Sequence, residues 1–114
     1  MSEKKYTTET VNNTIKVVFN GTTLVESKHA LLLKEGSHAP VYYFPRTDAK
    51  MEHLQPSEHQ THWPHKGDAS YFSITVGDQI AEDAVWSYET PVTSASEIQD
   101  LIAFYAEHVD FIES

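Results

Sequence analysis

Residues 71–88 read YFSITVGDQIAEDAVWSY, and this stretch decides the fold. Apolar side chains alternate with more polar ones through residue 76, which is the two-residue period of a β-strand. The Gly77-Asp78 pair is typical of a tight turn, because both residue types tolerate unusual backbone angles. Residues 80–88 then predict an antiparallel partner strand. The stretch as a whole therefore predicts a β-hairpin.

A second hairpin is predicted around Asn20-Gly21. Residues 15–19 alternate in the same way, and residues 22–27 would return beside them. Asn-Gly is the strongest two-residue hairpin signal, because a type I′ turn needs a positive φ at both positions.

Further strands extend this pattern to a mainly β fold. They are expected at residues 30–33, 41–44 and 104–112. Residues 1–12 are polar and aperiodic, and they predict a flexible lead-in. Residues 13–114 would then form one compact domain of antiparallel strands.

Two short helices and one loop are expected between the strands. Thr47 is a candidate N-cap for a helix over residues 48–54. Ser94 and Glu97 have the spacing of a capping box, which predicts a second helix. Residues 57–68 are rich in histidine and proline, and they predict a loop.

Composition excludes several classes of site. The chain has 114 residues and no cysteine, so it has no disulfide, thiol nucleophile or thiolate metal site. Its formal charge of −9 argues against nucleic acid as a partner, since phosphate binding needs a basic surface. No run of residues is apolar enough to span a membrane, and the first residues lack a secretion signal. We expect a cytoplasmic protein.

Four short motifs lie between residues 43 and 110. They are Tyr43-Phe44-Pro45-Arg46 with Asp48; Thr61-x-x-Pro64-x-Lys66-Gly67-x-Ala69-x-Tyr71; Val85-Trp86-x-Tyr88-x-x-Pro91; and Ala103-Phe104-Tyr105 with Val109-Asp110. In these motifs the chain resembles domain-of-unknown-function family 427, over roughly residues 14–112.

The resemblance implies both a fold and an activity. The fold would be similar to the β-tent of cereblon-type ligand-binding domains and of methionine sulfoxide reductase B. The family is labelled as nucleotidyltransferases. Many members carry cysteine where this chain has Trp63, so thiol chemistry is impossible here.

The sequence gives weak support to nucleotidyl transfer. That chemistry needs paired carboxylates to hold divalent metal ions. Gly36-Ser37 is followed by Asp48, but Lys50 stands where the second carboxylate belongs. A lysine there would repel the metal.

Histidines are the other candidate metal ligands. His59, His62 and His65 recur at every third residue, and three imidazoles are able to bind zinc. In an extended strand, however, His62 would face away from the other two. We therefore expect no bound metal and no cofactor, with these histidines solvated.

A small-molecule pocket is the leading functional hypothesis. It would be formed by Tyr43, Arg46, Lys66, Trp86 and Tyr88. The two cations would contact an anionic or carbonyl-bearing group of a ligand, and the aromatic rings would stack on it. The ligand's identity and the oligomeric state do not follow from the sequence.

Three alternatives stay open at this point. The cations could instead form ion pairs, Arg46 with Asp68 or Lys66 with Asp48. The same cleft could belong to a transferase or hydrolase that uses Asp48 or Asp83. The domain could also bind another protein and have no pocket.

Overall fold

The computed structural model describes residues 6–114, and these form ten β-strands. The strands are β1 (Thr7–Thr10), β2 (Ile15–Phe19), β3 (Thr22–Ser27), β4 (Leu31–Lys34), β5 (Val41–Tyr43), β6 (Leu54–Trp63), β7 (Gly67–Val76), β8 (Gln79–Pro91), β9 (Ile102–Phe104) and β10 (Asp110–Glu113). Short 3₁₀ turns occupy Arg46–Asp48, Met51–His53 and Thr93–Ile98. All strand pairs within the sheets are antiparallel, so the predicted mainly β fold is confirmed.

Both predicted hairpins are confirmed. β2 pairs with β3 across Asn20-Gly21, where φ is +48° and +84°. β7 pairs with β8 across Gly77-Asp78, and these are the two longest neighbouring strands of the large sheet β6-β7-β8-β9. Turn chemistry in the sequence was therefore sufficient to join these strands correctly.

Two smaller sheets, β10-β2-β3 and β1-β4-β5, complete the domain. Phe44, directly after β5, exchanges two backbone hydrogen bonds with Ile102 of β9, at 2.8 and 2.9 Å. This bridge connects the β1-β4-β5 sheet to the edge of the large sheet. It positions β4 and β5 beside one face of β8.

The hydrophobic core is divided by the large sheet. On one face, Phe72, Ile74 and Val85 pack in a cluster with the buried side chains of β2 and β3. On the other face, Tyr71 and Tyr88 pack in a second cluster with side chains of β4 and β5. Because successive side chains of β7 and β8 point to opposite faces of the sheet, this one hairpin contributes side chains to both clusters.

Residues 57–68 do not form the predicted loop. Most of them belong to β6 and to the start of β7, and β6 pairs with β7 from Leu54 to Trp63 around a bulge. β6 is the outer strand of its sheet, and nearly all its residues are exposed. Pro56 is tolerated because an edge strand leaves some amide groups unpaired. The polar composition of these residues therefore led to the prediction of a loop where an edge strand lies.

Helical turns lie where the two short helices were predicted, and they have 3₁₀ form. Ala49 pairs with Val25 in an extended conformation, which stops the first after one turn. The second follows Val92, and no side-chain hydrogen bond caps it, so the capping role of Ser94 is wrong. None of the helical segments in residues 6–114 has the length and apolar character needed to cross a membrane.

The two ends of the chain also differ from expectation. Residues 7–10 of the predicted lead-in form β1, which pairs with β4, while residues 1–5 lie outside the described part. The predicted strand at 104–112 is interrupted by a turn near His108, which separates β9 from β10.

Candidate functional site

A cavity of about 710 Å³ opens against the face of the large sheet that carries Tyr71 and Tyr88. Nine of the chain's 13 aromatic side chains line it, including both tryptophans and five of the six tyrosines. They are Tyr42, Tyr43, Trp63, Tyr71, Trp86, Tyr88, Phe104, Tyr105 and Phe111. Four of these residues, Tyr43, Tyr71, Tyr88 and Phe104, also belong to the buried clusters, so the cavity borders the core.

Strand register explains how these rings meet. Tyr71 of β7 lies opposite Trp86 of β8, and Ala103 of β9 lies on the other side of Trp86. Residues opposite one another in neighbouring strands share a face of the sheet. Ala69 and Ala103 are both buried on this face. On this face the cavity is lined by the larger side chains of Tyr71, Trp86 and Tyr88.

Trp86 contacts rings on two sides. Its plane is perpendicular to that of Tyr43, with ring centroids 6.3 Å apart, and its Nε1 donates a hydrogen bond of 3.2 Å to the Tyr43 hydroxyl. On the other side, the centroid of Tyr105 lies 4.6 Å away at an angle of 45°. These contacts fix the indole in the cavity wall.

Hydroxyl groups form a short chain along the same wall. The Tyr71 hydroxyl lies 3.0 Å from Oγ1 of Thr61 and 3.2 Å from the Tyr105 hydroxyl. Burial raises the pKa of Tyr105, and the neighbouring Tyr71 raises it further. The phenol therefore stays neutral at physiological pH and keeps its proton available for hydrogen bonding.

Tyr88 differs from its neighbours. Among residues 6–114 no hydrogen-bond partner is found for its hydroxyl, although only 7% of the residue is exposed. The oxygen is not sealed from solvent. Burial raises the pKa of Tyr88 to about 12, with smaller contributions from Tyr71 and Glu35. The cavity thus contains a neutral phenol whose hydroxyl makes no hydrogen bond to the described residues.

Lys66 and Glu35 form a buried ion pair in the cavity wall. Nζ of Lys66 donates to Oε1 of Glu35 at 2.6 Å, and only 7% and 15% of the two side chains are exposed. Nε1 of Trp63 donates to the other carboxylate oxygen at 3.2 Å. Lys66 Nζ also lies 5.5 Å from the ring centroids of Tyr6 and Trp63, within cation–π range.

Gly67 allows Lys66 to take this position. Its φ is +117°, and an added Cβ would lie 3.2 Å from Cα of Pro91. The close approach permits the amide of Val92 to donate to the Lys66 carbonyl at 2.9 Å. A backbone this close to the end of β8 requires glycine.

The structure brings together four of the five predicted pocket residues, which are Tyr43, Lys66, Trp86 and Tyr88. Arg46 does not line the cavity. Its guanidinium binds Oγ of Ser87 and the carboxylate of Glu89, each at 2.9 Å. Since Ser87 lies between Trp86 and Tyr88 in β8, its side chain points to the opposite face of the sheet. The expected convergence of the two cations is therefore wrong.

The ion pairs expected for these cations are also different. Arg46 pairs with Glu89 instead of Asp68, and Lys66 pairs with Glu35 instead of Asp48. Asp68 lies 2.7 Å from Nδ1 of His62. Glu35 follows β4 directly, and nothing in the sequence pattern of residues 34–37 indicated a partner for Lys66.

The carboxylates suggested for catalysis lie away from the cavity. Asp48 accepts a hydrogen bond of 2.6 Å from Ser27, and Asp83 accepts one from Ser57. Among the described cavity-lining residues, Glu35 is the only carboxylate, and both its oxygens are already bound. The described lining of the cavity therefore has no paired carboxylates of the kind that the metal-dependent transfer considered above requires.

The histidines of β6 are also dispersed. His59 packs against the Tyr71 ring with centroids 4.5 Å apart, and His62 binds Asp68. Residues 6–114 hold no group of three or more His, Asp or Glu side chains arranged to bind a metal ion. The expectation of no bound metal and no cofactor stays a prediction.

Comparison with known proteins now adds the family. A family model named NTP_transf_9, described as a domain of unknown function (DUF427), matches residues 7–114. The chain belongs to the DUF427 family. No curated protein matches it significantly. The DUF427 match covers every residue that lines the cavity, so the cavity is part of the family domain itself.

Sequence reasoning missed several polar and aromatic members of this DUF427 site, three of which supply its hydroxyl and carboxylate groups next to Trp86, Tyr88 and Lys66. Tyr71, Tyr105 and Glu35 all line the cavity. Tyr71 was recognisable, because it belongs to the same predicted hairpin as Trp86. Glu35 lies in a connecting segment, where no periodicity indicates a direction. Tyr105 was expected within a strand over residues 104–112, but β9 ends at Phe104.

The buried ion pair predicts how stability depends on pH. Burial alone would raise the pKa of Glu35, but the hydrogen bond and charge of Lys66, helped by Trp63, hold it below its ordinary value. The unfolded chain then binds a proton that the folded chain does not, so this contribution is present above about pH 4.5 and is lost below it.

Comparison with Glu35→Gln isolates this contribution. We expect wild type to be more stable at pH 7, and the difference to shrink as the pH falls from 5 to 3. Urea unfolding of both proteins at each pH provides the measurement. A difference that is constant over this range would contradict the assignment of the shift to Glu35.

Proposed function

We propose that this protein binds a small organic molecule in the aromatic cavity. The observation that carries the proposal is the gathering of nine of 13 aromatic side chains around one space of about 710 Å³. Small-molecule sites are concave, largely apolar and furnished with few polar groups, and their volumes are about 300–1,000 Å³. The cavity has each of these properties.

The polar groups indicate how a ligand would be held. Tyr88 offers a neutral hydroxyl that has no hydrogen-bond partner within residues 6–114, which suits a carbonyl or another hydrogen-bond acceptor. Trp86 and Tyr105 supply ring surface beside it. Arg46 takes no part, so the site is formed by Tyr43, Lys66, Trp86 and Tyr88 together with Tyr71 and Tyr105.

Energetic reasons support a binding role for these rings. Trp63 and Tyr105 are 42% and 36% exposed. Large aromatic surface left in contact with water costs free energy, roughly 25 cal/mol per Å². A ligand that covered these rings would recover part of it. Folding alone does not need them there, because the core on the other face of the sheet is already closed.

Tyr88→Phe provides the sharpest test. It removes only the unpartnered hydroxyl, so we expect the melting temperature to change by no more than about 2 °C while binding of carbonyl-bearing probes weakens about fivefold to tenfold. The probes are benzamide, acetanilide and N-methylpyrrolidone, and binding is measured from backbone NMR shifts.

Tyr71→Phe is the matched control. It also removes one phenol hydroxyl, but it breaks two hydrogen bonds within the protein, to Thr61 and Tyr105. We therefore expect it to lower stability as well as binding. The proposal fails if none of these probes shifts the resonances of Trp86 and Tyr88 at millimolar concentration.

A further inference from the structure

We infer that the cavity selects its ligand by charge and that the ligand carries an organic cation, a methylated ammonium group held against Trp86, Tyr43 and Tyr105. This inference rests on the proposed binding function and names the ligand class. Three properties of the site lead to it: the arrangement of the rings, the balance of charge in the wall, and the absence of a free cation among the described lining residues.

The rings around Trp86 are not parallel to it, although Tyr71 and Tyr105 are nearly parallel to each other, with an interplanar angle of 16° and centroids 6.4 Å apart. Tyr43 is perpendicular to Trp86, and Tyr105 is inclined to it by 45°. A planar ligand stacks on parallel surfaces, whereas a rounded group touches rings that face it from several directions. Cations attract the negative faces of aromatic rings, and tryptophan is the strongest partner. A compact alkylated ammonium therefore fits this arrangement.

The charges of the side chains in the cavity wall also favour a cationic ligand. The positive charge of Lys66 is matched at 2.6 Å by Glu35, so the pair acts as a dipole and not as a free cation. Burial raises the pKa values of Tyr43 and Tyr88, and the negative charge of Glu35 adds to the increase at both. The chain as a whole carries a formal charge of −9.

An anionic ligand, in contrast, would be disfavoured in this cavity. Lys66 is the only Lys or Arg among the described lining residues, and it is already bound to Glu35. Recruiting it would leave the Glu35 carboxylate buried without its counterion, which is costly. Phosphorylated and carboxylated ligands are therefore expected to be excluded from the cavity.

Three probes of nearly the same shape separate the possibilities. Choline carries a trimethylammonium group, 3,3-dimethyl-1-butanol has a neutral carbon in place of that nitrogen, and 3,3-dimethylbutanoate is an anion of similar size. We expect choline to bind about tenfold more tightly than the neutral alcohol, and the anion to bind more weakly than both. Binding is measured at pH 8 and low salt from protein NMR shifts.

Variants of the ring residues test which side chains produce the preference for choline. Trp86→Phe keeps a ring and should retain part of the preference for choline over the alcohol, whereas Trp86→Leu should abolish it. Tyr105→Leu changes a residue that is 36% exposed, so it should fold and still reduce the preference. Ile80→Ala, which alters a side chain that is 64% exposed and does not line the cavity, should leave the preference unchanged.

The outcomes distinguish failure of the charge selection alone from failure of the binding function as well. Equal binding of choline and the alcohol, or tighter binding of the alcohol, overturns the charge selection and leaves the binding function standing. The same holds if benzamide binds and choline does not. If neither choline nor the neutral probes bind, both proposals fall. A preference that survives Trp86→Leu and Tyr105→Leu would also overturn the inference.

Discussion

Lys66→Ala is expected to lower the free energy of unfolding by about 3–5 kcal/mol, because it leaves the Glu35 carboxylate buried without its counterion. Both side chains are far less than one third exposed, so solvent screens the pair little. The substitution also removes the aliphatic stem of a lysine that packs between aromatic rings. For a domain of this size the melting temperature should fall by roughly 10–20 °C.

Lys34→Ala is the matched control for this experiment. Lys34 and Glu9 form an ion pair at 3.6 Å, but their side chains are 54% and 61% exposed. An exposed pair of this kind contributes only about 0–1 kcal/mol. Urea unfolding of the two variants compares a buried pair with an exposed one in the same protein.

A double variant tests the cause. Lys66→Met combined with Glu35→Leu removes both charges and keeps side-chain volume, so it should recover most of the stability that Lys66→Ala loses. If Lys66→Ala loses less than about 1 kcal/mol, the ion pair is not buried in solution. If the double variant is as unstable as the single one, packing and not charge is responsible.

Phe44→Ala is expected to cost about 3–5 kcal/mol, the usual range for removing a fully buried phenylalanine. Phe44 is 0% exposed and belongs to the core cluster that β2 and β3 complete. Its ring lies 6.2 Å from that of Phe104. Its backbone is the bridge to Ile102 that joins β5 to the large sheet.

Because of the backbone bridge between Phe44 and Ile102, the loss of stability in Phe44→Ala should extend beyond the site of the substitution. A cavity beside Phe104 would loosen β5 against β9, and β5 carries Tyr43 in the wall of the binding site. We therefore expect amide exchange at Phe44 and Ile102 to accelerate along with the loss of global stability.

Ile112→Ala provides the comparison, because Ile112 is 49% exposed and its loss should stay within about 1 kcal/mol. Chemical denaturation of both variants, followed by circular dichroism, measures the difference. Equal stability of the two variants would show that the bridge is not part of the cooperative core.

The sequence predicted the strand pairs wherever a turn specified them. Asn20-Gly21 and Gly77-Asp78 each fix a hairpin, because Asn20, Gly21 and Gly77 adopt positive φ angles that few other residues tolerate. β6 was missed, because an outer strand needs no apolar face of its own. Its backbone is held by β7, and its side chains remain in water.

The sequence predicted the members of the candidate site that lie on strands and failed for one of those that lie in connections. Tyr43, Trp86 and Tyr88 lie on strands, where alternation indicates a direction. Arg46 and Lys66 lie in connections, where it does not. Arg46 consequently reached the opposite face of the sheet, and the partner of Lys66 came from the β4–β5 connection.

The sequence by itself determined a mainly β domain with two hairpins and an unusual supply of aromatic side chains. Only the tertiary structure decided which rings meet. An unbroken register from the Gly77-Asp78 turn would place Tyr71 opposite Ala84, but a bulge shifts the pairing by two residues and brings Trp86 there. Asp83 adopts a φ of +52° within it, and its amide binds the Ser73 hydroxyl. Such a bulge depends on packing from both faces of the sheet, which local sequence does not encode.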